Sequence, residues 1–171
     1  LVSKIWGPSV KPIQPDGLLY EVTCGGGGSL AFYVQDTGEN LFRRSLYTFW
    51  KRTVPPPSMM IFDAPTRDFC VAVRQKTSTP LQSLALMNDP QYLLAAEHLS
   101  NKIFNDSQIN NNEKIIKLYR TVTGRKPNNI ELDKLNKFLN EVITVNKKNA
   151  KEAFVSLAVL IYNLDETTQK S

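Results

Sequence analysis

A chain of 171 residues, 42% hydrophobic and 22% charged, has the makeup of a single globular domain long enough to bury a core. It has no apolar run of the about eighteen residues that a spanning helix needs. Neither Cys24 nor Cys70 sits in a Cys-x-x-Cys or Cys-x-x-Cys-His pattern, which excludes a haem-attachment site or a cysteine zinc site here and leaves one disulfide or two thiols open. The formal charge of +5 suits an anionic partner. The lysines and acids nevertheless alternate through the C-terminal half, as on a solvated helical surface.

The opening LVSKIWGPSV lacks an initiator Met, a basic n-region and an apolar h-region, which predicts a piece of a longer polypeptide. Residues 1–40 form an irregular arm rich in glycine and proline, because each proline biases its predecessor away from helix. Within it, the apolar runs Leu18 to Cys24 and Leu30 to Gln35 flank Gly25 to Gly28 and are spaced to pair as a small β-hairpin. The glycine run has no Lys-Ser/Thr behind it and no helix following, so it reads as a connector and not as a phosphate loop.

From Gly38 the spacing turns helical. Phe42, Leu46, Phe49 and Trp50 form one stripe and Arg44, Thr48, Lys51 and Arg52 a cationic back, with Pro55, Pro56 and Pro57 expected to end the helix. Two roles fit its arginines. They can grip an oxyanion through the planar guanidinium fork, or they can pair with Asp63 and Asp68 and pin the following loop to the core. The structural role is preferred, and it expects Arg44, Arg52, Arg67 and Arg74 to be largely buried and paired with Asp63, Asp68 or Asp89. Asp63 and Asp68 are also the minimal carboxylate pair for acid–base chemistry, the basis of a hydrolase-like alternative.

Thr79-Pro80-Leu81-Gln82 is a capping box with proline at the first helical position, and predicts a helix start. Pro90 must break or restart that helix, with Asn88 or Asp89 capping a second segment to about Phe104. Tyr92, Leu93, Ala96, Leu99 and Ile103 are expected to face inward there, and the lone His98 to lie at the surface or core edge. Residues Asn105 to Asn112 read as a loop. A helix from Glu113 to Thr123 closes on Gly124, and Asn128 with Glu131 starts another to about Asn146. Its stripe is Leu132, Leu135, Phe138, Leu139 and Val142. The last helix, AKEAFVSLAVLIYNLDE, is apolar almost all round and is expected at the centre of the bundle. The predicted fold is mainly α, an irregular bundle of about five to six helices over residues 41–171 behind the arm, forming one domain over residues 1–171.

The run RRSLYTFWKRTVPPPSMMIFDAPTRDFCVAVRQKTSTPLQSLALMNDPQ, with GPSVKPIQPDGL and YVQDTGENLF ahead of it and NLDET behind, resembles the C-terminal PSD domain of planctomycete-type cytochrome c proteins. The matching positions are Arg43, Arg44, Tyr47, Lys51, Arg52, Asp63, Pro65, Arg67, Cys70, Arg74, Thr79, Pro80, Gln82, Asn88, Asp89 and Pro90. Cys24 departs from the pattern, and the connection before the final helix is short, so neither a Cys24–Cys70 disulfide nor a function placed in that insert carries over. The resemblance implies a periplasmic or extracytoplasmic location, upstream domains of the same polypeptide as partners, and haem c only in an upstream domain. It assigns no molecular function. The leading expectation is a non-catalytic structural or interaction domain. Its alternatives are a module for anionic polysaccharide, binding through Arg43, Arg44, Tyr47, Lys51, Arg52, Asp63, Arg67 and Arg74, and the hydrolase-like enzyme. No metal, nucleic acid or cofactor is expected in this chain.

Overall fold

The computed structural model of the chain describes residues 8–13, 34–50, 55–73, 75–107 and 109–168. The chain divides into two compact units, 1–82 and 83–171. Among the described residues there are seven α-helices and no strand, as the predicted irregular helical bundle requires. None of these helices is long and apolar enough to cross a membrane. The hairpin predicted around Gly25 to Gly28 lies outside the described residues.

In the first unit, the helix expected from Gly38 is not formed. Two short 3-10 turns, Gly38–Phe42 and Ser45–Tyr47, are separated by Arg43 and Arg44, whose ψ angles of 157° and 141° are extended. Thr48 then forms an isolated parallel bridge with Val10. The backbone N–H of Val10 donates to Tyr47 O at 2.7 Å, and that of Phe49 donates to Val10 O at 2.7 Å. A cluster of aromatic and β-branched residues from Tyr47 to Trp50 gains more from an extended pairing than from a helix, where each loses side-chain freedom. The cost of breaking the stripe is that Leu46 stands 76% exposed. The prolines expected to stop a helix instead begin one. Pro57 occupies the first turn of α1 (Pro57–Ile61), where a missing N–H costs nothing.

Helix α2 (Pro80–Asn88) starts at the capping box that the sequence marks. Thr79 N–H donates to Gln82 Oε1 and Gln82 N–H donates to Thr79 Oγ1, both at 3.3 Å. Asp89 interrupts the chain, and its carboxylate accepts the Gln91 N–H at 2.8 Å to open α3 (Pro90–Phe104).

The second unit is a bundle of α3 with α4 (Asn111–Thr123), α5 (Asn129–Thr144), α6 (Ala150–Tyr162) and the single-turn α7 (Asp165–Thr168). Capping boxes begin α4 and α5, and Gly124, at φ 88°, ends α4 in the left-handed conformation that a glycine C-cap favours. Helix α6 is the hub, packing on α3, α4 and α5. Ala153, Leu157, Ala158 and Ile161 are wholly buried there, as an all-round apolar helix requires. Ser100 of α3 donates to Phe154 O at 3.3 Å, one of the few polar contacts inside this core. Leu135 and Val142 of α5 are buried and Leu132, Phe138 and Leu139 pack at the core edge, so the predicted stripe is the one used. On α3 the inward face is Ala96, Leu99, Ser100 and Ile103. Leu93, expected inside, is exposed because α3 outruns the apolar cluster toward its N-terminus, and Tyr92 is half-buried.

Candidate functional site

The motif-dense stretch gathers around Asp63. Its backbone N–H donates to Met60 O at 3.1 Å, and its φ of 56° reverses the chain at the end of α1. Aspartate is one of the few residues that tolerates this left-handed conformation. The turn aims the carboxylate at Thr77: Oδ2 accepts the Thr77 N–H at 2.8 Å, and both oxygens lie 2.9 Å from Thr77 Oγ1. Gln82, only 3% exposed, completes the group. Its Nε2 reaches Ile61 O at 2.9 Å, Thr77 Oγ1 at 3.2 Å and Asp63 Oδ2 at 3.3 Å. One carboxylate and one amide therefore tie the end of α1, both ends of the loop from Asp63 to Thr77 and the start of α2. A carboxylate accepting several hydrogen bonds is stabilised as a fixed acceptor and is a poor proton shuttle.

A second pattern in the same unit pairs cations with rings. The Arg67 guanidinium lies 4.5 Å from the Trp50 ring centroid, Arg43 lies 5.7 Å from Tyr47 and Lys11 Nζ lies 5.8 Å from Phe49. Each such pair contributes about 0.5–1 kcal/mol at exposed positions. Arg43 also donates to Pro8 O at 2.7 Å, and Asp36 exchanges bonds with the Lys11 backbone. These contacts join residues 8–13 to residues 34–50. Arg67, at φ 64°, is left-handed as well, which turns its side chain out onto Trp50. The Trp50 Nε1–H is closed off from solvent without an acceptor among the described residues.

Of the predicted site residues, the structure brings Asp63 and Gln82 together with Thr79, and Arg43 with Tyr47. It does not bury Arg44 and Arg67 as expected. Arg44 and Arg67 are exposed, Arg67 because its left-handed backbone and the Trp50 ring hold it outward. Asp89 serves α3 as its N-cap, where free backbone N–H groups claim the carboxylate, and the Asn88 amide donates to Leu84 O at 2.9 Å. Pro90 occupies the first turn of α3. Asp68 and Pro65 are exposed, and Cys70 carries a free, exposed thiol. Lys51, Arg52 and Arg74 lie outside the described residues. His98 is exposed on α3. Thr77 is the partner that sequence reasoning missed. The only hint is its place in the hydroxyl run Thr77-Ser78-Thr79 ahead of the cap.

Sequence reasoning also missed the most densely bonded polar cluster among the described residues, which lies in the second unit. Arg125, just past the Gly124 cap, forms a bidentate pair with Glu131 at 2.8 and 2.7 Å, and its Nε donates to Glu166 Oε2 at 2.9 Å. Its Nη2 donates to the buried Tyr119 hydroxyl at 2.7 Å, and that hydroxyl donates to Glu166 Oε1 at 2.7 Å. The Arg125 side-chain hydrogen bonds, followed by the Asn128 backbone N–H, hold the Glu131 carboxyl down at about 2. The hydrogen bonds from Glu131 and Glu166 push Arg125 up. Burial, and then the bond to Glu166, push the Tyr119 hydroxyl up. The cluster joins α4, the α4–α5 turn, α5 and α7, and each member already has its partners. Elsewhere in this unit, burial and the nearby Asp89 charge push Tyr92 up to about 12.

No curated protein and no solved structure matches the chain. A family model described as PSD1, protein of unknown function (DUF1553), matches residues 1–139, which include the whole of the Asp63 group and the cation–ring pairs. The match covers most of the chain and coincides with the resemblance carried by Arg43 to Gln91. The chain belongs to the PSD1 family, a planctomycete-specific domain of unknown function.

Proposed function

We propose that this chain is a non-catalytic structural and interaction domain at the C-terminus of a large exported cytochrome c-type protein, docked on the upstream domains of the same polypeptide in a periplasmic or other extracytoplasmic space. The observation that carries the reading is the commitment of Asp63. The most chemically suggestive carboxylate of the family stretch accepts from Thr77 and Gln82 and closes a loop. On this reading haem c belongs to an upstream domain, since this sequence has no Cys-x-x-Cys-His. Calorimetry tests the docking: the unfolding transition of this domain should move upward in the full-length protein relative to the isolated chain. An identical transition in both would remove the proposal.

A second reading, a module for anionic polysaccharide, is favoured by Arg67, which is exposed and braced on Trp50. Guanidinium on an indole face keeps its donor edge available to sulfate or carboxylate. Titration with a sulfated polysaccharide at low and high salt should then give salt-sensitive heat that Arg67→Ala reduces. A flat titration at low salt ends this reading. The hydrolase-like role for Asp63 and Asp68 has the least support, because Asp63 is held by its structural bonds.

A further inference from the structure

Arg125 stands between two carboxylates that hold it in different ways. Its Nη1 and Nη2 are fixed by Glu131 at 2.8 and 2.7 Å, and Nη1 also reaches Lys126 O at 3.2 Å. Glu131 is itself anchored, accepting the Asn128 N–H at 2.8 Å as part of the α5 capping box. The Tyr119 ring centroid lies 5.1 Å from the guanidinium, and the Tyr119 hydroxyl accepts from Nη2 at 2.7 Å. All of these groups belong to α4, α5 and the turn between them, so they hold Arg125 in place without help from α7. What they leave over is a pair of donors, Arg125 Nε–H and Tyr119 O–H. Each meets one oxygen of Glu166, at 2.9 and 2.7 Å respectively.

We infer that Arg125 and Tyr119 form a carboxylate-binding site that the chain fills with its own Glu166, and that α7 is a strap which an external carboxylate displaces. A planar group with two oxygens receives one donor on each, and Glu166 demonstrates that match in place. The strap is otherwise weakly held. It is a single turn of four residues, too short to be stable alone. Among the described residues its other side-chain hydrogen bonds reach only Ile161 O, in the helix just before it, and Asp165 O, within the turn itself. Leu164 packs at the core edge ahead of the turn, so Glu166 can leave while the bundle stays closed. The Arg125 and Glu166 side chains are 45% and 36% exposed, which lets a solute reach the site from water. Exchange of one carboxylate for another conserves the charge around Arg125, and Glu131 remains its second counter-ion. The site lies apart from the Asp63 group and does not depend on the docking proposed above.

Chemical complementation of Glu166→Ala in the whole chain provides the test. The variant should have a lower urea midpoint than the wild type. Sodium acetate should recover part of that loss in a saturable way, beyond the effect of sodium chloride at the same ionic strength. Tyr119→Phe in the same background removes one of the two donors and should flatten the acetate response. Acetate and chloride acting alike on Glu166→Ala would overturn the site, and a response to sulfate without one to acetate would overturn its assignment to carboxylates. Displacement is read separately in the wild type, by NMR. A tethered carboxylate competes at an effective concentration on the order of millimolar, so acetate is added well above that. The amide signals of Asp165–Thr168 should then move toward their positions in Glu166→Ala, while chloride at equal ionic strength leaves them in place. Signals that acetate moves no more than chloride does would overturn the strap.

Discussion

Asp63 shows how a residue that is conspicuous in a sequence can carry fold-building contacts that the sequence does not mark. Its position among arginines suggests ion pairing or acid–base chemistry, and its left-handed φ also turns it toward a threonine hydroxyl and a glutamine amide. That geometry was not legible, because Thr77 is fourteen residues away and nothing in a linear pattern marks it as the acceptor's partner. The Arg125 cluster was illegible for the same reason, since Glu166 lies forty-one residues from Arg125. Its pH signature is testable. The folded carboxyl of Glu131, held at about 2, is depressed below its unfolded value of about 4.3. The stabilisation is therefore present above about pH 4.3 and is lost as pH falls toward 2. The Arg125 and Glu131 side chains are 45% and 30% exposed, so solvent screens the pair and the slope should be shallow. Urea midpoints measured from pH 6 to 3 should fall less steeply in Glu131→Gln than in the wild type. Parallel curves would show that the pair is not coupled to folding.

At the scale of elements, local signals are legible in the sequence and the competition between elements is not. The Thr79–Gln82 box, the Asn128–Glu131 box, the Asp89 cap and the Gly124 terminator each lie within a few consecutive residues, so sequence contains all their parts. The helix expected from Phe42 to Trp50 lost to pairing with Val10, a partner more than thirty residues away whose backbone bonds no periodicity reveals. Gly124 permits a clean test of a local signal. A Cβ there would meet nothing within 4 Å, so the only penalty of Gly124→Ala is backbone conformation at φ 88°. The variant should lose about 1–2 kcal/mol in thermal or urea unfolding, and Gly124→Asn should lose less. An unchanged midpoint in Gly124→Ala would mean that the α4–α5 turn relaxes freely.

At the scale of the molecule, the family match ends at residue 139, inside α5, yet the core of the second unit is completed by α6. Phe154, Leu157 and Ile161 are almost wholly buried against α3, α4 and α5. The folding unit is thus longer than the matched stretch. A chain ended after residue 139 should lose the cooperative unfolding of this unit and expose its apolar face, detected as a broad melt and dye binding. A sharp melt unchanged from the full chain would contradict the central place of α6, which the sequence already marked by its all-round apolarity. The central claim concerns the first unit: the polar residues of the family stretch build the fold. A double-mutant cycle on Asp63→Ala and Thr77→Val, followed by urea unfolding, tests it most directly. Each substitution should lower the midpoint, with a coupling energy of about 1 kcal/mol or more between them. Single variants as stable as the parent, with no coupling, would contradict it and return Asp63 to consideration as a group held ready for chemistry.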